Sequence, residues 1–248
     1  MNSEINLTAI YLVNIMGVTL MCLMLLGNRF EMNNGKKEDK VLKAMMLTTI
    51  VCCVCDALVF QMDGHPQAIA FWIVYIGNLL QFLANLIIGA LWIILIITHM
   101  NKKMIRKQVI FIYTLCTIGV LSLIINIFEP IIFSVDSNRI YSRGPLFWMY
   151  AAIDSIFLID SIGYYTIVKI KGGALKFFPV TQFMFSLSIG FLIQGVLYGV
   201  STIWPFTAVA ICGVINSLQN EKVYRDPLTG LFNWQYLYNV LRTSKEKL

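Results

Sequence analysis

"AIAFWIVYIGNLLQFLANLIIGALWIILIITHM" runs from Ala68 to Met100 without a single Asp, Glu, Lys or Arg. A helix needs about 20 mostly apolar residues to cross a bilayer, because the hydrocarbon core is about 30 Å thick and each residue rises about 1.5 Å. This stretch therefore predicts a membrane-spanning helix. Across all 248 residues, 58% are hydrophobic and 13% charged, with a mean hydropathy of +0.74. That composition is typical of an integral membrane protein.

Six further runs are apolar enough to be predicted as spans. In chain order the seven are Leu7 to Gly27, Val41 to Met62, Ala68 to Met100, Val109 to Phe128, Pro145 to Val168, Pro179 to Tyr198 and Trp204 to Leu218. Prolines at the starts of runs support these boundaries, because the first N–H groups of a helix have no partner to lose. The sequence thus predicts an all-α, polytopic seven-helix bundle over residues 1–220.

The basic residues predict the orientation. Of the 19 Lys and Arg, 17 fall in the first, third and fifth connections and the tail, against Arg139 and Arg143 on the other side. Because basic residues near helix ends stay cytoplasmic, the N-terminus is expected outside and the C-terminus inside. The net charge of +6 therefore indicates contact with the lipid bilayer rather than nucleic acid. All six cysteines fall inside apolar runs, and the sequence predicts no disulfide, metal site or cofactor in this chain.

Polar groups at membrane depth are costly and therefore mark candidate sites. Their distance from the predicted helix ends places a set of them in the outer half, where they could converge on a ligand pocket. The predicted ligand-binding residues are Asp56, Tyr75, Asn78, Gln81, Asn85, Arg143, Tyr150, Asp154, Gln194, Tyr198 and Trp204. The alternative is that each is a hydrogen-bonding contact between helices.

The character of the ligand follows from charge. Asp56 and Asp154 have no Lys or Arg within the spans to neutralise them, so they are either protonated or paired with a cationic ligand. Arg143 could compete for that role by folding inward. We expect a small, partly apolar ligand with hydrogen-bonding or cationic character, contacted by Asp154 together with Asn78 and Gln81.

Residues 130–144 lie between the fourth and fifth runs and have β-branched and aromatic residues on both sides of Asp136-Ser137-Asn138. This pattern predicts a β-hairpin, which could cover the mouth of the bundle as a lid. An ordinary exposed loop is the alternative.

The tail, residues 221–248, contains "YRDPLTGLFNWQYL" from Tyr224 to Leu237. Its residue types predict a turn and a short amphipathic helix. Six residues stand in the order Asp-x-Leu-Thr-Gly-Leu-x-Asn: Asp226, Leu228, Thr229, Gly230, Leu231 and Asn233. This order resembles the opening of the GGDEF domain of diguanylate cyclases, which directly follows a signalling helix; Trp234 stands where that family usually has Arg.

The resemblance implies a sensor in the bacterial cytoplasmic membrane that works as a homodimer. Its output would be cyclic di-GMP, made from GTP with Mg²⁺ by two paired cyclase domains. This chain lacks the Gly-Gly-Asp/Glu-Glu-Phe signature, and Glu246 is its only carboxylate after Gly230, so no catalytic residue is predicted here. We expect the sensor part of a longer protein. A transporter with proton-carrying carboxylates is the alternative, although no inverted repeat is visible.

Overall fold

The computed structural model describes residues 6–27, 37–100, 106–170, 180–197, 199–224, 226, 229 and 231–238. Seven helices and one hairpin make up the bundle, and a short helical segment follows at 234–238. In chain order the elements are α1 (Leu7–Gly27), α2 (Lys37–Met62), α3 (Ala68–His99), α4 (Arg106–Phe128), β1 (Phe133–Val135), β2 (Tyr141–Arg143), α5 (Phe147–Ile170), α6 (Val180–Val196) and α7 (Ile203–Val223).

Among the described residues, five helices, α1 to α5, are long and apolar enough to cross a membrane, and the prediction of seven such helices is corrected to five. The sixth, α6, is apolar but has only 17 residues. The seventh, α7, has 21 residues but ends in the polar sequence Gln219-Asn220-Glu221-Lys222. The chain is therefore a multi-pass membrane protein by the length and composition of α1 to α5.

The central helix of the bundle is α3, which packs against α2, α4 and α5. It contributes Trp92 to a core shared with α1, α2, α6 and α7, and Phe82 to a second core shared with α4, α5 and the hairpin. Close packing of α3 on α5 depends on Gly89, because a Cβ there would lie 2.6 Å from a ring carbon of Phe157. Because α3 is in contact with other helices on several sides, it has no face that needs charged residues, which explains its long uncharged run.

The segment between α4 and α5 forms an antiparallel hairpin in which Phe133 pairs with Arg143 and Val135 with Tyr141. We call this end of the bundle the hairpin end and the opposite end the tail end. Asn126 fixes the hairpin to α4, since its Oδ1 accepts the N–H groups of Ile132 (2.7 Å) and Phe133 (3.2 Å). The Phe133 ring is fully buried against α3.

Candidate functional site

A cavity of about 90 Å³ lies at the hairpin end, among α2, α3, α5, α6, α7 and the hairpin, and we call it the polar cavity after the polar side chains that line it alongside apolar ones. Eight of the residues predicted from the sequence line it: Asp56, Asn78, Gln81, Asn85, Arg143, Tyr150, Gln194 and Trp204. Its volume suits a few waters or a very small polar molecule, because sites for drug-sized ligands have volumes of about 300–1,000 Å³.

Asp56 lies at the centre of a buried polar cluster and is only 1% exposed. The hydroxyl of Ser201, in the α6–α7 connection, donates to Asp56 Oδ2. Asn14 on α1 donates from Nδ2 to Ser201 Oγ (2.7 Å) and to the carbonyl of Ile10 (3.0 Å). This cluster joins α1, α2 and the entry to α7. The sequence analysis did not select Asn14, although a lone amide inside an apolar run is a signal that could have revealed it. It did not select Ser201 either, and no pattern in the sequence distinguishes that residue.

Gln81 and Trp204 connect α3 to α7 across the cavity. The indole Nε1 of Trp204 donates to Gln81 Oε1 (3.3 Å). Gln81 Nε2 makes no hydrogen bond of good geometry to any described residue, although the amide lies close to Asp56. The Gln81 amide thus lies between Trp204 on α7 and Asp56 on α2.

Arg143 and Gln194 hold the ends of two helices. Arg143 donates to the carbonyls of Gly195 (2.5 Å) and Gln194 (2.7 Å), where α6 ends, and stacks on the Phe147 ring at 4.6 Å. Gln194 Oε1 in turn accepts the N–H groups of Thr202 (2.8 Å) and Ile203 (2.9 Å), where α7 begins. Both side chains thus satisfy helix-end groups that would otherwise lack partners. The guanidinium is bound to carbonyls and does not neutralise Asp56 or Asp154.

Three other predicted residues bond to backbone carbonyls. Tyr150 donates to Gly119 on α4 (2.7 Å), and Asn78 donates to Val74 on its own helix (2.7 Å). Tyr75 lines neither cavity described here, and its hydroxyl donates to Asn126 (3.3 Å). For these three, the observed bonds are contacts within and between helices.

The hairpin contributes Tyr141 and Arg143 to the wall of the polar cavity. Asp63, just after α2, accepts the N–H of Tyr141 with its Oδ1 (2.7 Å), and the Gly64 N–H donates to the Arg139 carbonyl (3.0 Å). Tyr141 lines the cavity, and burial raises the pKa of its phenol to about 12, against the opposing effect of Arg143. Burial thus opposes ionisation of this phenol.

A second cavity, which we call the lateral cavity, adjoins the first and has a volume of about 330 Å³. Asp154 lines the lateral cavity, whereas the sequence placed it in one pocket with Asn78 and Gln81. The two cavities share Asn85, Phe191 and Ile203. Tyr198, the last of the predicted ligand residues, lies outside the described residues.

At the tail end, His99 connects three helices. Its Nδ1 is 2.5 Å from Glu38 Oε1 on α2, and its Nε2 is 3.0 Å from Glu221 Oε2 on α7. An imidazole donates from both nitrogens only when it is protonated, so this arrangement fits an imidazolium between two carboxylates. We call these three residues the His99 clamp. These residues are so far apart in the chain that no pattern in the sequence pairs them.

The described residues of the tail motif form a folded turn beyond α7. Asp226 Oδ1 accepts the N–H (2.8 Å) and the hydroxyl (3.0 Å) of Thr229. Asn233 donates from Nδ2 to the Val223 carbonyl at the end of α7 (2.8 Å), and its Oδ1 accepts the Tyr236 N–H (3.1 Å). Leu228 and Gly230 lie outside the described residues. The motif is thus attached directly to the last turn of α7.

Comparison with known protein families, curated proteins and solved structures finds no match to this chain. The described residues form a small polar cavity, a larger lateral cavity and one helix, α7, that connects both cavities to the tail.

Proposed function

We propose that this chain is the membrane-embedded sensor of a signalling protein, in which a small molecule bound at the hairpin end regulates a cytoplasmic diguanylate cyclase domain. One observation carries the proposal. Helix α7 is continuous from Ile203 and Trp204, which line the polar cavity, to Val223, which accepts a hydrogen bond from Asn233 of the tail motif. Its 21 residues span about 30 Å. A displacement of Trp204 could therefore reach the tail through one helix.

The proposal treats α6 and α7 as part of the same bundle as the five long apolar helices α1 to α5. Helix α7 packs on α1, α2 and α6, and its buried residues from Trp204 to Leu218 belong to the same core as Trp92. The uneven distribution of Lys and Arg supports an outside N-terminus and a tail in the cytoplasm, as in a bacterial cytoplasmic membrane. On this arrangement the hairpin and the polar cavity face the exterior.

The link to a cyclase rests on the tail motif and its resemblance to the opening of a GGDEF domain. The described tail also exposes apolar side chains that a folded domain would cover: Trp234 is 73% and Leu231 69% exposed. The residues present do not fit a site for Mg²⁺ or GTP, because Asp226 is the only described carboxylate beyond α7 and is bonded to Thr229. In the proposed whole protein, GTP and Mg²⁺ bind elsewhere in the output domain.

A homodimer is part of the proposal, because the implied reaction joins two GTP molecules held by two facing domains. The tail follows α7 almost without a linker, so two tails can meet only if two bundles associate. Mass measurement of the chain in lipid nanodiscs is expected to show two copies per particle. Single copies in every lipid composition would contradict the proposed homodimer.

The proposal is tested by joining the full chain at Leu248 to the remaining sequence of a GGDEF domain of known activity and measuring cyclic di-GMP formation in membrane vesicles. Gln81→Ala and Trp204→Phe remove the contact between α3 and α7 at the cavity, and we expect both to change cyclase output. Tyr75→Phe is the matched control, because it removes a hydroxyl from α3 that lies outside both cavities.

Thermal unfolding of each variant separates loss of signalling from loss of folding. Equal cyclic di-GMP output from wild type, Gln81→Ala and Trp204→Phe, all folded, would show that the polar cavity does not control the tail.

A further inference from the structure

The lateral cavity lies among α3, α5, α6 and α7, deeper in the bundle than the hairpin. Its volume of about 330 Å³ falls within the range of about 300–1,000 Å³ that is usual for small-molecule sites, unlike that of the polar cavity. It is also in direct contact with α7 through Ile203 and Thr207. Its size and position therefore allow a bound molecule to touch the helix that leads to the tail.

The walls of the lateral cavity are mainly aromatic and aliphatic, including Trp148, Phe157, Phe183 and Phe191. Two of its polar residues are already bonded within their own helices: Ser155 donates to the Ala151 carbonyl and Thr207 to the Ile203 carbonyl, both at 2.7 Å. These hydroxyl protons are therefore not free for a guest.

Asp154 is different, because its carboxyl group has no hydrogen-bond partner and no Lys or Arg pairs with it among the described residues. Arg143, the basic residue that the sequence offered for this role, is bound to the α6 carbonyls instead. A carboxylate in a low-dielectric, aromatic-walled cavity is stabilised strongly by a positive charge that enters with the guest.

The cavity opens sideways. Trp148 and Ser155 on α5 and Ser188 and Leu192 on α6 line it and are also exposed, Trp148 by 52% and Leu192 by 59%. In a membrane bundle, this seam between α5 and α6 faces lipid. A guest that partitions into the bilayer can therefore enter without passing the hairpin.

We propose that the lateral cavity binds an amphiphilic primary amine that enters from the bilayer between α5 and α6. Its ammonium group pairs with Asp154, and its alkyl chain packs against Phe157, Phe183 and Phe191. This site stands independently of the cyclase proposal, since it requires only the cavity, its opening and its one unpaired carboxyl group.

The test uses the full chain in phosphatidylcholine nanodiscs, with n-octylamine at neutral pH as the probe and n-octanol as its uncharged match. Binding is measured by the change in tryptophan fluorescence and by the rise in the unfolding temperature, both corrected with empty nanodiscs. Wild type is expected to bind octylamine at least about tenfold more tightly than octanol, since a charge-assisted bond is worth about 1.4 kcal/mol or more.

Asp154→Asn is expected to weaken octylamine binding about tenfold and leave octanol binding unchanged. Asp160→Asn is the matched control, because Asp160 is on the same helix, is bonded to Gln108 and lines neither cavity. Ser188→Trp fills the opening while keeping Asp154, and is expected to weaken binding of both probes. Equal affinity of folded Asp154→Asn and wild type for octylamine, or equal affinity of wild type for both probes, would overturn the proposal.

Discussion

Ser201 is the shared hydrogen-bond partner of two buried polar side chains. It donates to Asp56 and accepts from Asn14, and each of the three residues is at most 2% exposed. Ser201→Ala leaves both neighbours short of a partner inside the bundle. We expect it to lower the free energy of unfolding by about 1–2 kcal/mol, measured by thermal unfolding in a fixed detergent.

Thr114→Val is the control for Ser201→Ala, because the Thr114 hydroxyl is exposed and bonds only to the Ile110 carbonyl of its own helix. It is expected to change stability by less than about 0.5 kcal/mol. If Ser201→Ala costs no more than Thr114→Val, the cluster around Asp56 does not stabilise the bundle.

At the residue scale, the sequence located many of the groups that line the polar cavity but could not assign their roles. Asp56 and Gln81 were predictable, because polar residues at membrane depth need a partner or a function. Ser201 was not, because its burial depends on how the α6–α7 connection folds back between α1 and α2. The role of Gln194 in holding the start of α7 was likewise invisible without the geometry of that connection.

The His99 clamp fixes the tail ends of α2, α3 and α7 to one another. His99→Phe keeps an aromatic ring of similar size but removes both donors, which leaves Glu38 and Glu221 without the cation between them. We expect a loss of about 2–3 kcal/mol in unfolding free energy, less than for a fully buried pair because Glu38 is partly exposed.

The clamp also permits a rescue experiment. Adding Glu38→Gln to His99→Phe removes one of the two negative charges that faced His99 and should recover part of the lost stability. His65→Phe is the matched control, because His65 lies in the α2–α3 connection at the hairpin end. The absence of any rescue would show that His99 acts through packing rather than charge.

Arg143 is expected to hold the hairpin against α6. Arg143→Met keeps much of the side-chain volume but loses both bonds to the carbonyls at the end of α6. We expect a loss of about 1–2 kcal/mol in unfolding free energy and faster proteolysis of the hairpin. The control is Arg139→Gln, which removes the same charge from the hairpin turn. Equal proteolysis rates for the two variants would contradict the role given to Arg143.

At the element scale, the apolar runs predicted the buried part of each helix. They were less accurate for the residues at which the helices begin and end. Helix α7 continues to Val223, beyond the predicted end at Leu218, because the polar residue Glu221 faces His99 rather than water alone. Helix α2 begins at Lys37 rather than Val41, and its first turn supplies Glu38 to the same clamp. A hydropathy pattern cannot detect helix ends that are stabilised by charges from other helices.

The whole molecule has two chemically different ends, and its sidedness in the membrane can be measured. Ser137→Cys in the hairpin turn and Thr229→Cys in the tail are both exposed positions. In intact cells, an impermeant maleimide should label Ser137→Cys above the wild-type background and reach Thr229→Cys only after permeabilisation. The reverse pattern would invert the proposed orientation.

At this scale, composition alone established a multi-pass membrane protein. The count of seven spans was wrong among the described residues, because α6 has 17 described residues and α7 combines apolar residues with the polar sequence that joins it to the tail. Nor could one sequence reveal that Asp154 and Gln81 line separate cavities. That separation depends on the packing of α5 and α6 around Phe191, which lines both.

The length of α3 has a consequence for the surrounding lipid. Its 32 residues extend about 48 Å, whereas the hydrocarbon core is about 30 Å thick. The contact of Tyr75 with the hairpin residue Phe133 toward one end and the His99 clamp at the other limit how far α3 can tilt within the bundle. The bilayer must therefore adjust to the protein, at a cost that grows with each ångström of mismatch. Lipids with longer acyl chains reduce that cost. Membrane thickness therefore changes the free energy of holding α3 in the bilayer, and α3 forms a wall of both cavities.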